Sequence, residues 1–520
     1  MTRPVVWSVA GTDSGGGAGL AADQRTADAF GVHLCPVVAA VTAQHSREVT
    51  QVAPVPAELL DAQLAALADD LPPQAVKTGL LGSAEAVATV ARWVDRLRER
   101  GPVALVVDPV LGATSGAAFA DAATLAAYRE LLLPRATVLT PNRHEAARLA
   151  GDDTLPAADA LPELARALWR RGPAAVAITG GDSPAHAGLA LDWIATEHAC
   201  GWLALPRLDA AHHHGSGCTF ATATAAALAR GHVAADALVL AKMATTHAIR
   251  HGYAAGRGVG PVHAQPGFQS DASLLPRLSW GEAPRFHVSP RPRPARPLGL
   301  YALVDSAERV RRVLATGVRT LQLRIKTEVT PAVRDAIREA VADCRAAGAE
   351  LFVNDHWALA LELGADGVHL GQEDLLALDD ERRERLAAGV ALGISTHSLW
   401  ELCRARSLAP RYVACGPVWP TLTKAMPWHP QGLDNLAWWV GMAGAPVVAI
   451  GGILSADRFH AAAAAGADGV CAVRVLGDDP AATVPALAAA LDAGRAEAGR
   501  TARPAWPHPS LASGFGHTTP

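Results

Sequence analysis

Short apolar runs recur along the second half of the chain, at Tyr301–Val304, Thr320–Arg324, Leu351–Val353, Gly367–Leu370, Leu392–Ile394, Tyr412–Ala414, Val447–Ile450 and Gly469–Val473. They read as buried parallel strands, and between most of them lie Ala-, Leu- and Arg-rich stretches of helical period. The shorter gap after Leu351–Val353 still fits about one helix. Eight such units in about 200 residues predict a (β/α)8 barrel. The first half alternates in the same way, with strands expected at Val5–Ala10, Val37–Val41, Ala75–Thr78, Ala104–Asp108, Val138–Thr140 and Val176–Thr179, and turns helical after Gly217. This predicts a doubly wound α/β layer sandwich.

The two patterns are separated by Trp280–Pro297, which carries Pro284, Pro290, Pro292, Pro294 and Pro297. Such spacing suits neither a helix nor a central strand and reads as an extended linker. The expected division is residues 1–268, a linker over 269–297, a barrel over 298–500, and a poorly ordered tail over 501–520.

Composition narrows the class. Half of the 520 residues are hydrophobic and the formal net charge is only −4, so a globular protein is expected, with neither a nucleic-acid partner nor a basic membrane anchor. No apolar run reaches the ~18 residues of a membrane helix. Met1–Ala10 lacks the features of a signal peptide, and seven scattered cysteines show no zinc-type spacing; a cytoplasmic location is the expectation. Of 46 basic residues only Lys77, Lys242, Lys326 and Lys424 are lysine. Where Lys persists in so Arg-rich a chain, a compact point charge on a flexible stem is a candidate requirement.

In a barrel, chemistry belongs at the C-terminal ends of the strands. Polar residues gather there: Gln322, Arg324 and Lys326 after the second strand, Asn354 and Asp355 after the third, Asp374 after the fourth, Ser395 after the fifth. The sixth leads to Thr421, Thr423 and Lys424, and the seventh to Gly451-Gly452. Alternation puts Gln322, Arg324 and Lys326 on one side of the chain. Arg324, Lys326 and Lys424 supply three cations, Asp355 and Asp374 suit a hard ion such as Mg²⁺, and the glycine pair lets backbone N–H groups approach a phosphate. The implied ligands are a pyrophosphate with Mg²⁺ and a second phosphorylated molecule. The competing reading, structural ion pairs at the rim, accommodates single residues better than a constellation spread over successive strand ends.

QLRIK, FVND, HLGQED, GISTH, GPVWPTLTK and AIGGI, in this order over residues 298–490, resemble thiamine phosphate synthase. The resemblance implies coupling of a hydroxymethylpyrimidine pyrophosphate to a thiazole phosphate with release of pyrophosphate. It assigns Gln322 to the pyrimidine, Arg324, Lys326, Asn354, Ser395 and Lys424 to the pyrophosphate, Asp355 and Asp374 to Mg²⁺, and Thr421, Thr423 and Gly452 to the thiazole phosphate. Lys326 and Lys424 are its catalytic cations. The family usually has Ser where this chain has Arg474.

In the first half, the first strand ends in Ala10-Gly11-Thr12-Asp13-Ser14-Gly15-Gly16-Gly17-Ala18-Gly19. The spacing is not GxGxxG and no acidic residue ends a clear second strand, which argues against a dinucleotide site. His214-Gly215-Ser216-Gly217-Cys218-Thr219 precedes an Ala-rich helix. Small residues there open a helix N-terminus whose free N–H groups suit a phosphoryl group, with Cys218 the candidate base. The plainer reading of Cys218 is ordinary packing. His212–His214 reads as loop.

With VTAQ, KTGLLG, VVDPV and TPNRHEA, these segments resemble the ribokinase-like superfamily, and specifically hydroxymethylpyrimidine/phosphomethylpyrimidine kinase, over residues 5 to about 262. The resemblance implies ATP as cosubstrate. It puts Asp23 and Gln44 on the pyrimidine, Asn142 and Glu145 on the nucleotide–Mg²⁺ side, Gly215 and Gly217 on phosphate, Cys218 at the transferred group, and Asp108 nearby. By analogy, a homodimer through this half is expected. Thr179 stands where the family commonly has Lys before Gly-Gly, which leaves open a kinase fold kept for ligand binding or regulation. A pyridoxal preference in the first half and a thiazole tautomerase-like barrel stay open as well.

Overall fold

The computed structural model describes residues 3–112, 119–181, 188–286, 297–421, 427–499 and 506–512. The chain divides into one unit ending at Pro284 and a second running from Arg285 to Leu511.

The first unit is built on a ten-stranded sheet: β1 (Val5–Gly11), β2 (His33–Gln44), β3 (Val49–Pro54), β4 (Ala75–Thr78), β5 (Ala104–Val107), β6 (Val138–Leu139), β7 (Val176–Thr179), β8 (Leu189–Ala195), β9 (Cys200–Pro206) and β10 (Arg277–Leu278). Their order is β10-β9-β8-β7-β6-β5-β4-β1-β2-β3. The pairs from β7 through β2 are parallel, whereas β3 and β8–β10 add antiparallel edges. Chain direction across the sheet reverses between β1 and β4, and in open α/β sheets ligands enter the crevice at such a switch point.

All six expected strands are present, and the expected helices follow as Ser216–Ala229 and Ala234–Arg250. Ten consecutive residues of the first of these, Thr219–Leu228, are buried. A helix apolar all round belongs in an interior, and its alanines let it pack closely against helices Gly19–Phe30 and Ala234–Arg250.

The linker starts later than the composition predicts. Residues 269–286 belong to folded structure: β10 pairs with β9, the Trp202 N–H donates to Ser279 Oγ at 2.8 Å, and the Trp202 indole N–H donates to the Glu282 carbonyl at 2.6 Å. A Pro-rich segment satisfies its polar groups on a sheet edge here. Only 287–296 of the expected linker lies outside the described residues.

The second unit is the expected barrel: β11 (Gly299–Val304), β12 (Thr320–Leu323), β13 (Glu350–Asn354), β14 (Gly367–Leu370), β15 (Ala391–Thr396), β16 (Tyr412–Cys415), β17 (Val447–Ala449) and β18 (Gly469–Ala472). All are parallel, and β18 pairs back onto β11 to close the ring. Tyr301, Phe352 and Tyr412 fill the interior edge-to-face, with centroids 5.1–5.9 Å apart, a favoured aromatic geometry. Gly393 makes room for this cluster, since a Cβ there would lie 2.2 Å from the Tyr412 ring.

The tail also departs from expectation. Within 506–512, His508 N–H donates to Asn435 Oδ1 at 2.9 Å, Asn435 Nδ2 donates to the His508 carbonyl at 3.1 Å, and His429 N–H donates to the Ser510 carbonyl at 2.8 Å. Buried amide groups on helix Gly432–Met442 recruit a polar segment that composition alone reads as unstructured. Among the described residues, no helix is long and apolar enough to cross a membrane.

Candidate active sites of the two units

In the first unit two glycine-rich loops meet at the β1 end of the switch-point crevice. Gly215 has φ +83°, and a Cβ on it would lie 2.3 Å from the Gly17 carbonyl, so the loops approach as only glycine permits. Asp13 organises the first loop by accepting N–H bonds from Gly15, Gly17 and Ala18 at 2.8–3.0 Å. Burial pushes its carboxyl up, but the His214 hydrogen bond and the loop N–H groups outweigh this and hold it below the usual carboxylate range. His214 Nε2 lies 3.1 Å from Asp13 Oδ2 and 3.2 Å from Gln44 Nε2. His214, read as loop from the sequence, therefore ties Gln44 to the glycine loop; the glycines around it are the signal that marks it.

Asp23 does not reach a substrate. It is fully buried, its carboxylate accepting from Ser8 Oγ at 2.6 Å, Thr222 Oγ1 at 2.7 Å and Lys77 Nζ at 3.0 Å. It is an internal anchor, because every approach to it is occupied by protein donors. Lys77, equally buried, also lies 3.9 Å from Asp108.

Cys218 sits at the third position of helix Ser216–Ala229, where Gly215 and Gly217 flank the opening turn. Burial pushes its thiol up to about 12, against the opposing pull of Lys77. A thiol pushed up by burial gives up its proton less readily than a free one, and Cys218, partly exposed, lies beside the N–H groups that open the helix.

Asn142 and Glu145 form the capping box of helix Arg143–Ala150, each side chain accepting from the other's backbone N–H at 2.9 Å. Burial and the neighbouring Asp108 raise Glu145 to about 8. Asp108 rises to about 6 through burial, opposed by Lys77, and its Oδ2 is buried without a hydrogen-bond partner. Two close acidic groups with an orphaned oxygen fit a hard cation that completes its shell with phosphate oxygens. Thr179 ends β7 and bridges to Asn142. One residue on, Gly180 N–H donates to Asp192 Oδ1 at 3.0 Å, and Lys242 Nζ donates to Asp192 Oδ2 at 2.7 Å.

In the barrel, the parallel closed ring brings those of the expected residues that are described to the C-terminal ends of its strands. Gln322 is buried and donates from Nε2 to the Tyr301 hydroxyl at 3.1 Å; Arg324 and Lys326 follow it outward, the latter exposed. Asp355 takes a left-handed backbone, φ +64°, which Asp tolerates better than most residues. Its pKa is raised by burial and then by Asp374, opposed by Arg324, so these three groups share one field. Asp374 also accepts the Gly371 N–H at 2.9 Å. Among the described residues no cluster of three or more metal-ligating side chains exists; a carboxylate pair suits an ion held jointly with substrate phosphates.

Asn354 is buried at the end of β13, and Ser395 Oγ meets His369 Nε2 at 2.9 Å. Gly452, at φ +70°, packs where a Cβ would lie 2.6 Å from Trp419 Cβ. Thr421 is described and half-buried, whereas Thr423 and Lys424 lie outside the described residues. Arg474 opens a short turn after β18 and is exposed. Sequence reading missed Tyr301 and Tyr412; His369 stands among the polar residues at the strand ends, within the HLGQED motif, without a role assigned to it.

Comparison with known proteins matches both units. The phosphomethylpyrimidine kinase family covers residues 13–263 and the thiamine monophosphate synthase family residues 300–476. A probable chloroplastic thiamine biosynthetic bifunctional enzyme of Oryza sativa subsp. japonica is 34% identical over 87% of this chain and 82% of its own length. A hydroxymethylpyrimidine/phosphomethylpyrimidine kinase of Streptomyces coelicolor is 44% identical over 50% of this chain and 94% of its own. A thiamine-phosphate synthase of Rhizobium etli is 48% identical over 35% of this chain and 87% of its own. Two families in tandem, matched together along one relative, place the chain among the bifunctional thiamine-biosynthetic enzymes, with a phosphomethylpyrimidine kinase unit followed by a thiamine phosphate synthase barrel.

Proposed function

We propose that the first unit transfers phosphoryl groups from ATP to hydroxymethylpyrimidine and then to its monophosphate, and that the barrel joins the resulting pyrophosphate to thiazole phosphate, releasing pyrophosphate. The observation that carries this reading is the pairing of sites: in one unit a glycine-flanked helix N-terminus preceded by His214, which bonds Gln44, and in the other Arg324 and Lys326 with a carboxylate pair at the strand ends.

In the kinase, Gln44 and His214 hold the pyrimidine, and the N–H groups of Gly217 and Cys218 meet the transferred group. Asp108 and Glu145 would hold Mg²⁺, which would supply charge neutralisation for the nucleotide phosphates. Catalysis is then positioning and electrostatics. In the synthase, Arg324, Lys326 and Lys424 neutralise the departing pyrophosphate with Asn354 and Ser395. Asp355 and Asp374 would hold a Mg²⁺ that shares the pyrophosphate charge. Thr421, Thr423 and Gly452 seat the thiazole phosphate, and Gln322 orients an aminopyrimidine ring able to carry the developing positive charge. No protein nucleophile is needed.

Thr179 supports a second reading, in which the kinase unit binds ligand without turnover, since the resemblance would put Lys at that position. One assay separates them: hydroxymethylpyrimidine, ATP, Mg²⁺ and thiazole phosphate, with thiamine phosphate followed by chromatography. Product establishes both activities. Product only when the pyrimidine pyrophosphate is supplied directly establishes the second reading. No product in either case, from folded protein, overturns the assignment of the barrel.

A further inference from the structure

A continuous buried chain of polar groups crosses the barrel interior. Gln322 Nε2 donates to the Tyr301 hydroxyl at 3.1 Å, the Tyr301 and Tyr412 hydroxyls are 2.5 Å apart, the Tyr412 hydroxyl is 2.8 Å from His369 Nδ1, and His369 Nε2 is 2.9 Å from Ser395 Oγ. Tyr301 and Tyr412 are buried, and burial foremost raises both phenols, which stay neutral. His369 Nδ1 faces the Tyr412 hydroxyl and Nε2 the Ser395 hydroxyl. With the Gln322 amide donating into the far end of the chain, Nδ1 is left to accept the Tyr412 proton, as a neutral ring does. A neutral imidazole has one donor and one acceptor nitrogen, and each hydroxyl has one proton. Every link therefore carries a single proton, and the chain has two self-consistent arrangements.

In the first, the Gln322 amide N–H donates to Tyr301, Tyr301 to Tyr412, Tyr412 to His369 Nδ1, and His369 Nε2–H to Ser395. This leaves the Gln322 carbonyl and the Ser395 hydroxyl proton for a ligand. In the second, every proton is reversed, the amide turns over, and the ligand meets an amide N–H and a serine lone pair. The structure shows the amide orientation of the first arrangement, in which Gln322 Oε1 is buried without a partner. An orphaned buried acceptor is costly until a donor reaches it.

We infer that Tyr301, Tyr412 and His369 are positioning residues that polarise this chain, coupling the two ends so that the barrel selects a ligand donating at Gln322 and accepting at Ser395. That pattern is an exocyclic amine with a phosphate oxygen, and it disfavours an oxo-substituted ring. The inference rests on the reading of the barrel as acting on an aminopyrimidine phosphate ester. The polarity acts at a distance: Gln322 and Ser395 belong to β12 and β15, and the side-chain bonds that join them run through the tyrosines and the histidine.

The test uses the full chain in the synthase reaction, with 4-amino- and 4-oxo-pyrimidine monophosphates as inhibitors, so that only the barrel is read. The parent should show an oxo-to-amino Ki ratio of roughly tenfold or more, the scale of one mismatched hydrogen bond. Tyr412→Phe should bring the ratio towards unity. In that background Ser395→Ala should cost little more, although each variant alone lowers kcat/KM about tenfold. An unchanged ratio in Tyr412→Phe, or losses that multiply in the double variant, overturns the inference. Tyr301→Phe breaks the chain one link earlier and supplies the same readout if Tyr412→Phe does not fold. A parent without synthase turnover would instead refute the assignment of the barrel itself.

Discussion

Lys77 lies beneath the kinase site with no solvent contact, 3.0 Å from the equally enclosed Asp23 and 3.9 Å from Asp108. Replacing it by Met removes the only cation within reach of Asp23 among the described residues, leaving a buried carboxylate supported by two hydroxyl donors. Removing one member of a buried ion pair typically costs about 3–5 kcal/mol, and for a domain of this size about 2–4 °C is lost per kcal/mol. The kinase unit of Lys77→Met should therefore melt roughly 6–20 °C lower. Calorimetry of the full chain reads this. Synthase activity at 25 °C serves as an internal control that should not change, since Lys77 belongs to the other unit. Adding Asp23→Asn removes the stranded charge and should recover more than half of the loss, because Asp108, already raised to about 6 by burial, is the less costly carboxylate to leave. A Lys77→Met chain melting within about 2 °C of the parent, or a double variant no more stable than the single one, would refute the argument that this pair is a buried electrostatic anchor.

The Cys218 thiol, pushed up to about 12, should label far more slowly with iodoacetamide at pH 8 than the exposed Cys200, as peptide mass spectrometry would show. Cys218→Ser should keep kinase kcat within about tenfold of the parent; a loss of 10²-fold or more, the scale of a general base, would give it that role. Asp355→Asn and Asp374→Asn should each raise the Mg²⁺ needed for half-maximal synthase rate about tenfold. Because Asp355 is raised above the usual carboxylate range, the parent's Mg²⁺ requirement should climb as pH falls towards that raised value and stay flat above it; a flat titration at all pH values would exclude Asp355. A chain ending at Gly499 takes the His508 N–H away from the buried Asn435 Oδ1, while the Asn435 Nδ2 bond to Gln431 stays. At about 1–3 kcal/mol for the unsatisfied amide oxygen, the barrel transition should drop by roughly 2–12 °C with the kinase transition unmoved.

The sequence by itself determined the architecture of both units and the strand and helix ends on which the candidate site residues lie. Eight apolar runs separated by helical stretches leave little choice but a parallel barrel, because each strand must bury both faces, and polar residues following such runs can only collect at one rim. The loop glycines were equally legible, since closely approaching loops exclude a Cβ. Side-chain roles were less so. Asp23 reads as a ligand-facing acid on a helix next to a glycine loop, and only packing shows Ser8, Lys77 and Thr222 closing around it from β1, β4 and helix Ser216–Ala229. The same packing keeps Cys218 protonated, a property set by dielectric and neighbouring charge rather than by residue type.

Composition misled where local chemistry and tertiary context disagree. Residues 269–286 and 506–512 look like linker and tail, yet their polar groups are taken up by Trp202, Asn435 and His429. The polar chain through the barrel is the furthest from the sequence. Tyr301 and Tyr412 are 111 positions apart, and each alone is an ordinary core aromatic. Strand periodicity fixes which residues face inward, but which hydroxyl meets which nitrogen depends on barrel closure, and only the tertiary structure decides that.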